Sequence, residues 1–320
     1  MLRRTALALA LCATGCAPEE NPSDGGPVDG LRQVEQAAES LTEPSEPNAI
    51  RFLEQATFGP RLAQGVTPQP IDTVEHVMAV GITQAITEQL AAPRYVYDAT
   101  TTSKDLGSQF FHNAVTGRDQ LRQRVAFALS QIFVVSQNGI GDIASTPESE
   151  PKVAMAGYLN LLSANAFGNF RTVLEGITRD PAMGNYLDMV NNRAVDTAGK
   201  SIEPNENYAR EMLQLFTLGL HKLNDDGTVK LDADGMPLPA YTEAQVQAFS
   251  RALSGWTFAN AAGCPARGRN NATTYSGPML GCDLSHDARS QTLLRGAVTT
   301  EGGGATLHLK EALDNVFADP

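Results

Sequence analysis

Apolar residues recur at intervals of three and four along most of the chain after residue 47, which is the spacing of one face of an α-helix. The pattern is clearest across residues 119–135, where it predicts a core helix whose apolar face is formed by Leu121, Val125, Ala128, Leu129 and Ile132. The same spacing predicts helices over residues 48–58, 71–90, 152–166, 170–178, 180–190, 206–219, 242–256 and 307–318.

Capping residues support several of these helix starts. Asn205 stands where a carboxamide oxygen can accept the N–H groups of the first turn. Asp180 followed by Pro181 supplies a cap and a proline at the first helical position. Thr242, with Gln245 three residues later, matches a capping box. Helices therefore dominate the predicted fold.

Residues 222–241 break the helical pattern. Two Asp-Gly dipeptides, at 226–227 and 234–235, predict a β-hairpin or two tight turns. Spaced carboxylates in this segment leave a calcium loop as the alternative, which is disfavoured because Lys222 and Lys230 hold the first-ligand positions and no Glu occupies the twelfth. The predicted fold is mainly α, a multi-helix globular domain with a small β-hairpin insertion and no metal.

The N-terminus carries the features of an export signal. Two arginines precede residues 5–13, an apolar stretch too short to span a bilayer. It runs into Ala-Thr-Gly-Cys, which resembles the bacterial lipobox, where the cysteine is acylated and the signal is removed before it. We predict a signal peptide over residues 1–15 and lipidation of Cys16. Ordinary cleavage after Gly15 stays open, because Ala13 stands where leucine is usual.

Two regions follow the predicted cleavage site. Residues 16–47 are rich in Pro, Glu, Ser, Asp and Gly and contain few large apolar residues, so we predict a disordered tether. Residues 48–320 are the predicted helical domain, which is long enough for a large core, as one domain or as two closely packed ones.

The charge balance limits the partners of the chain. It has 36 acidic and 24 basic residues, a net charge of −12, and removal of the two signal arginines leaves 36 against 22, or −14. A strongly acidic surface argues against nucleic acid and anionic lipid as partners. The predicted membrane attachment is therefore the lipid on Cys16.

Four cysteines are consistent with export. Cys12 leaves with the signal and Cys16 carries the lipid, so Cys264 and Cys282 remain as a pair. In an oxidising compartment they are expected to form a disulfide. Two zinc ligands are the alternative, but His286 alone does not complete a site.

Catalytic motifs are scarce. The sequence contains no G-x-S-x-G, no H-E-x-x-H and no complete phosphate loop, and no cofactor is predicted. The best candidate is a polar stretch between residues 191 and 221. In it, Glu206, Glu211 and His221 are the candidate acid, base or ligand groups. The candidate binding residues are Asn192, Arg193, Asn205 and Arg210.

A purely structural interpretation of this stretch stays open. Glu206 and Arg210 are four residues apart, the spacing of a helix ion pair, and Asn205 is a cap. Glu206 and Glu211 point about 140° apart on an ideal helix, so they do not easily share one task. His286 is expected to serve in packing or at the surface.

Five blocks of sequence carry a family resemblance. They are RFLEQATFGP at 51–60, DQLRQRVAFALSQIFVVS at 119–136, NAFGNFRTVLEGITRDPAMGNYLD at 165–188, PNENYAREMLQLFTLGL at 204–220 and YTEAQVQAFSRALSGWTF at 241–258. In this order they resemble the bacterial family called domain of unknown function 1800. The resemblance implies exported helical proteins with no established activity, often encoded beside sulfatase-like secreted proteins.

Members of that family usually continue past the point where this sequence stops, so the resemblance implies C-terminal truncation. The helix predicted over residues 307–318 is then expected to leave an apolar face exposed.

These observations favour an exported, lipid-anchored helical accessory or binding protein of the cell envelope, with a sulfatase-like exported protein as one candidate partner. The alternative from another class is a hydrolase-like enzyme that uses Glu206, Glu211 and His221. A truncated, non-functional copy is the third hypothesis.

Overall fold

The computed structural model describes residues 45–62, 70–100, 105–140 and 146–319. The predicted signal peptide, Cys16 and nearly all of the predicted tether lie outside these residues. The described chain is mainly α-helical, with eleven α-helices and one two-stranded sheet, which confirms the predicted fold class. None of these helices is both long and apolar enough to cross a membrane. The chain divides after Ala92 into two compact units.

The first unit contains three helices, α1 (Glu46–Ala56), α2 (Val74–Val80) and α3 (Ile82–Ala91). Its core consists of Ala49, Leu53, Val77 and Ala85. The single helix predicted over residues 71–90 is wrong. Gly81 has a φ of +81°, a conformation that favours glycine, and it ends α2 one residue before α3 begins.

The second unit contains eight helices. The first four are α4 (Leu106–Thr116), α5 (Gln120–Ile132), α6 (Pro151–Asn165) and α7 (Phe170–Thr178). The others are α8 (Pro181–Tyr186), α9 (Asn207–Glu211), α10 (Glu243–Ala252) and α11 (Ala305–Phe317). Strands β1 (Trp256–Thr257) and β2 (Leu280–Gly281) pair antiparallel, with Trp256 opposite Gly281.

Helix α6 organises the core of the second unit. It packs against α4, α5, α7 and α8. The largest fully buried side chains of this core include Tyr158, Phe133, Tyr208 and Phe249. Burial of each large apolar side chain contributes about 1.5–3 kcal/mol. This packing fixes the end of α8, where the candidate site begins.

Buried polar contacts determine which face of α5 turns inward. Its buried side chains are Gln120, Leu121, Gln123 and Ala126. The predicted apolar face is confirmed at Leu121, which is buried, and at Leu129, which packs against the core, but it is wrong at Ala128, which is exposed, and at Ile132, which is 41 % exposed. The carboxamide of Gln123 donates to the carboxylate of Asp119 (2.8 Å) and to the hydroxyl of Ser163 on α6 (3.2 Å). Because these partners satisfy the glutamine, it can occupy an inward position that apolar spacing does not reveal.

The last helix is packed rather than bare. Helix α11 contacts α7 and α10, and it buries Leu309, Leu313 and Val316. The expectation of an exposed apolar face is wrong for most of the helix; only its flanks are open, with Leu307 41 % and Phe317 50 % exposed.

Residues 221–239 form two tight turns, one of the two outcomes predicted for this segment, which we call the arm. Isolated bridges join Leu223 to Val229 and Leu231 to Pro237. The carboxylate of Asp226 accepts the N–H of Thr228 at 2.9 Å. Turn formation therefore uses a carboxylate that the calcium alternative needed as a ligand.

Candidate functional site

The candidate site starts in a short loop after α8. Asp188 and Asn191 both have left-handed backbones, with φ of 59° and 62°. The loop is fixed to β1, because the N–H of Asn191 donates to the carbonyl of Trp256 at 2.7 Å and its side-chain oxygen accepts the hydroxyl of Thr257 at 2.7 Å. Non-glycine residues with this backbone cost free energy and recur at functional sites.

Asn192 joins this loop to the segment before α9. Its carboxamide nitrogen donates to the carbonyl of Asn205 at 2.7 Å, and its oxygen accepts the N–H of the same residue at 2.7 Å. Asn192 is 9 % exposed. The carboxamide of Asn192 thus pairs with the backbone of Asn205 as a neighbouring strand would. It fixes the loop after α8 against the segment before α9.

Polar groups point outward from this rigid base. The carboxylate of Asp188 accepts the carboxamides of Asn205 (3.4 Å) and Asn207 (3.2 Å). The side-chain oxygen of Asn205 accepts the N–H of Asn207 at 2.8 Å, so it caps the helix as predicted, one residue outside the formal cap. We call Asp188, Asn205 and Asn207 the polar surface.

Arg210 stands beside the polar surface and binds two carboxylates. Its guanidinium lies 2.8 Å from Glu206, and it contacts both oxygens of Glu243, at 2.7 and 3.0 Å. The hydrogen bond from Arg210 holds the pKa of Glu243 below its usual value. Glu206 is thus engaged in the helix ion pair that its spacing indicated.

The three candidate catalytic residues do not form one hydrogen-bonded group. Among the described residues, the side chains of Glu211 and His221 make no hydrogen bond or ion pair. His221 lies in the arm, where its backbone pairs with Pro239. Their catalytic roles remain predictions. Across the same residues, no three His, Cys, Asp or Glu side chains are grouped so as to hold a metal ion.

The candidate binding residues separate into two groups. Asn192, Asn205 and Arg210 lie around the start of α9, whereas the guanidinium of Arg193 donates to the carbonyl of Gly268 on another loop. The side chains of the polar stretch therefore lie on two surfaces, one at the start of α9 and one beside the loop that contains Gly268.

Helix α9 continues as a π-helix over Met212–Thr217. This wider turn buries Met212, Leu213 and Phe216 and leaves Leu215 60 % exposed. Single π turns are rare in proteins as a whole. Where they occur, they are often found at functional sites. Sequence periodicity assumes 3.6 residues per turn and cannot reveal one.

A buried histidine pair escaped the sequence-based prediction. The rings of His286 and His308 approach to 2.8 Å between nitrogens, and their outer nitrogens face the carbonyls of Ser254 (3.0 Å) and Thr300 (2.7 Å). Burial lowers the pKa of His286. The pair joins α11 to the loop after β2, in the packing role expected of His286. No pattern in the sequence links the two positions.

The predicted disulfide is present. Cys264 and Cys282 are bonded, with their Cα atoms 5.5 Å apart. The bond closes a loop that contains Arg267, Gly268 and Arg269, and Cys282 directly follows β2. This confirms the pairing of the two cysteines that remain after the signal region.

A separate apolar cavity of about 270 Å³ lies between α4, α5 and α6. Leu106, Phe110, Phe127, Met155 and Leu159 contribute most of its walls. No carboxylate, imidazole or cationic group lines it, so it offers apolar contact without acid or base groups.

Comparison with known proteins places the chain in a family. No curated protein and no solved structure matches it. The family model described as "Protein of unknown function (DUF1800)" matches residues 51–320, which include the polar surface, the histidine pair and the disulfide. The chain therefore belongs to the DUF1800 family, whose description assigns no activity.

Proposed function

We propose that this chain is an exported, lipid-anchored accessory or binding protein of the cell envelope, and that the polar surface is its recognition face. The export signal and the lipobox-like cysteine support this location, and the acidic charge argues against nucleic acid as the partner. The disulfide between Cys264 and Cys282 supports an oxidising compartment. The candidate partners are an envelope polymer or an exported protein of the sulfatase-like kind that the sequence resemblance implies.

The observation that carries the binding role is the preorganisation of the polar surface. Two left-handed residues and the doubly bonded Asn192 hold Asp188, Asn205 and Asn207 in place, although Asp188 and Asn205 are exposed and Asn207 is half-buried. Polar groups fixed before binding lose little conformational entropy when a partner arrives. The hydrolase alternative has less support, because the carboxylate of Glu206 already binds Arg210.

Anchoring is tested by metabolic labelling. In bacteria fed radioactive palmitate, the wild-type chain should be labelled and should sediment with membranes. Cys16→Ala should lose the label, because the acylated thiol is gone. Cys12→Ala is the matched control and should keep the label, since Cys12 lies in the predicted signal. An unlabelled wild-type protein whose N-terminus is Cys16 would establish ordinary cleavage and end the anchoring proposal.

Recognition is tested by binding of the unacylated chain, residues 17–320, to isolated cell envelopes. Asp188→Ala combined with Asn207→Ala should weaken this binding, because two of the three side chains of the polar surface are removed. Asn224→Ala combined with Asp225→Ala removes the same two residue types from exposed positions in the arm and is the matched control.

A further inference from the structure

Four cationic side chains gather on two neighbouring loops outside the polar surface. They are Arg193, Lys200, Arg267 and Arg269, which we call the cationic patch. Within the described part of the chain, none of the four forms an ion pair with a carboxylate. This is unexpected in a chain whose net charge is −12.

Ser285 holds the two loops together. Its carbonyl accepts the N–H of Ala194 at 2.9 Å, and its hydroxyl accepts the N–H of Gly268 at 3.3 Å. The guanidinium of Arg193 donates to the carbonyl of Gly268. The backbones also touch, since a methyl group on Gly268 would lie 2.5 Å from the nitrogen of Thr197. The patch is therefore part of the folded structure.

The guanidinium of Arg267 reaches the loop that carries Lys200. The guanidinium of Arg267 covers Gly199, where an added Cβ would lie only 2.7 Å from its Nη1 atom, and Lys200 is the next residue. The carboxylate of Asp196 accepts the N–H groups of Ala198 (2.9 Å) and Lys200 (2.8 Å) and forms no ion pair with the patch. Gathered like charges repel one another, and a bound anion relieves that repulsion.

We propose that the cationic patch binds the sulfate or phosphate groups of an anionic polysaccharide. The planar guanidinium groups of arginine suit such oxyanions, because they can donate two parallel hydrogen bonds. Residues 193–201 and 264–271 contain no aromatic side chain on which a nucleic-acid base could stack, whereas Thr197 and Asn270 offer exposed polar groups to sugar hydroxyls. The choice of a polysaccharide rests on the proposed location outside the cytoplasm.

The test compares dextran sulfate with uncharged dextran of equal length as probes for the full mature chain in detergent. Wild-type protein should bind dextran sulfate and should show no measurable binding to dextran. Arg267→Ala combined with Arg269→Ala should weaken binding about tenfold or more and reduce the slope of log K against log salt by about two, since two counterion-releasing charges are lost. Lys222→Ala combined with Lys230→Ala is the matched control, because it removes two exposed cations from the arm.

The control should remain within twofold of the wild type, and unfolding curves should show that both variants are folded. Absence of binding to dextran sulfate at physiological salt would overturn the proposal. Equal losses in the two double variants would also overturn it, since they would reflect net charge alone. Equal or tighter binding of a DNA oligonucleotide would exclude the polysaccharide as occupant. Failure of palmitate labelling leaves these outcomes unaffected, so the two proposals can fail separately.

Discussion

The stability of Asp180→Asn, measured relative to wild type at the same pH, should increase as the pH rises from 4 to 8. Asp180 caps α8 from within the core, and its carboxylate accepts the N–H groups of Ala182 (2.9 Å) and Met183 (3.1 Å). Burial outweighs these hydrogen bonds and raises the pKa of Asp180 from 3.8 to about 7. The folded state therefore keeps a proton that the unfolded state releases in this range.

The sign of the effect follows from that difference in bound protons. The stabilising contribution of protonated Asp180 is complete below pH 4 and is lost as the pH rises through 7. A pKa difference of roughly three units corresponds to ~4 kcal/mol at most. Asparagine is an equally good cap without a charge, so it does not show this loss.

Urea unfolding at pH 4 and pH 8 measures the change. The difference between Asp180→Asn and wild type should be several kcal/mol more favourable at pH 8. Asp225→Asn, which removes an exposed carboxylate in the arm, should run nearly parallel to wild type. Parallel curves for Asp180→Asn as well would mean that burial does not hold the proton on Asp180.

Gly268→Ala should destabilise the protein by about 3 kcal/mol. It should also weaken the binding of dextran sulfate to the cationic patch. Gly268 has a φ of +66°, and the new methyl group would lie 2.5 Å from the nitrogen of Thr197 and 2.7 Å from the carbonyl carbon of Asp196. The left-handed backbone alone costs about 1 kcal/mol for alanine. The backbone clash adds about 1–3 kcal/mol, because no flexible side chain can move aside.

Gly235→Ala separates these two costs. Gly235 has a φ of +78° and nothing within 4 Å of an added Cβ, so its substitution should cost only the backbone term of about 1 kcal/mol. Denaturant unfolding at one pH compares the two variants. Equal destabilisation would show that the close approach of the two loops does not exist in solution.

Local chemistry could be predicted from the sequence. The capping box of Thr242 and Gln245 forms as predicted, and Asp180 caps α8. The Asp-Gly turns of the arm and the pairing of Cys264 with Cys282 also follow from neighbouring residues or from a simple count of cysteines. Caps and turns depend on residues that are close in sequence. The disulfide depends on a small number of cysteines, which leaves few possible pairings.

Long-range contacts could not be predicted. The inward position of Gln123 depends on Ser163, forty residues away, and no apolar period reports it. Asn192 binds Asn205 across a loop, so the sequence indicated that the region was polar but not how it is held. The sequence predicts that Arg193 and Arg210 belong to one group of binding residues. In the structure, the guanidinium of Arg193 instead donates to the carbonyl of Gly268, on the loop that the disulfide closes.

The polar surface is tested most directly by the binding of residues 17–320 to isolated envelopes. Wild-type chain should bind saturably, Asp188→Ala with Asn207→Ala should bind at least about tenfold more weakly, and Asn224→Ala with Asp225→Ala should bind like wild type. Cooperative denaturant unfolding curves should show that both double variants are folded under the binding conditions. Unchanged binding by the folded Asp188 and Asn207 variant, or an equal loss in the arm control, would contradict the proposed recognition face.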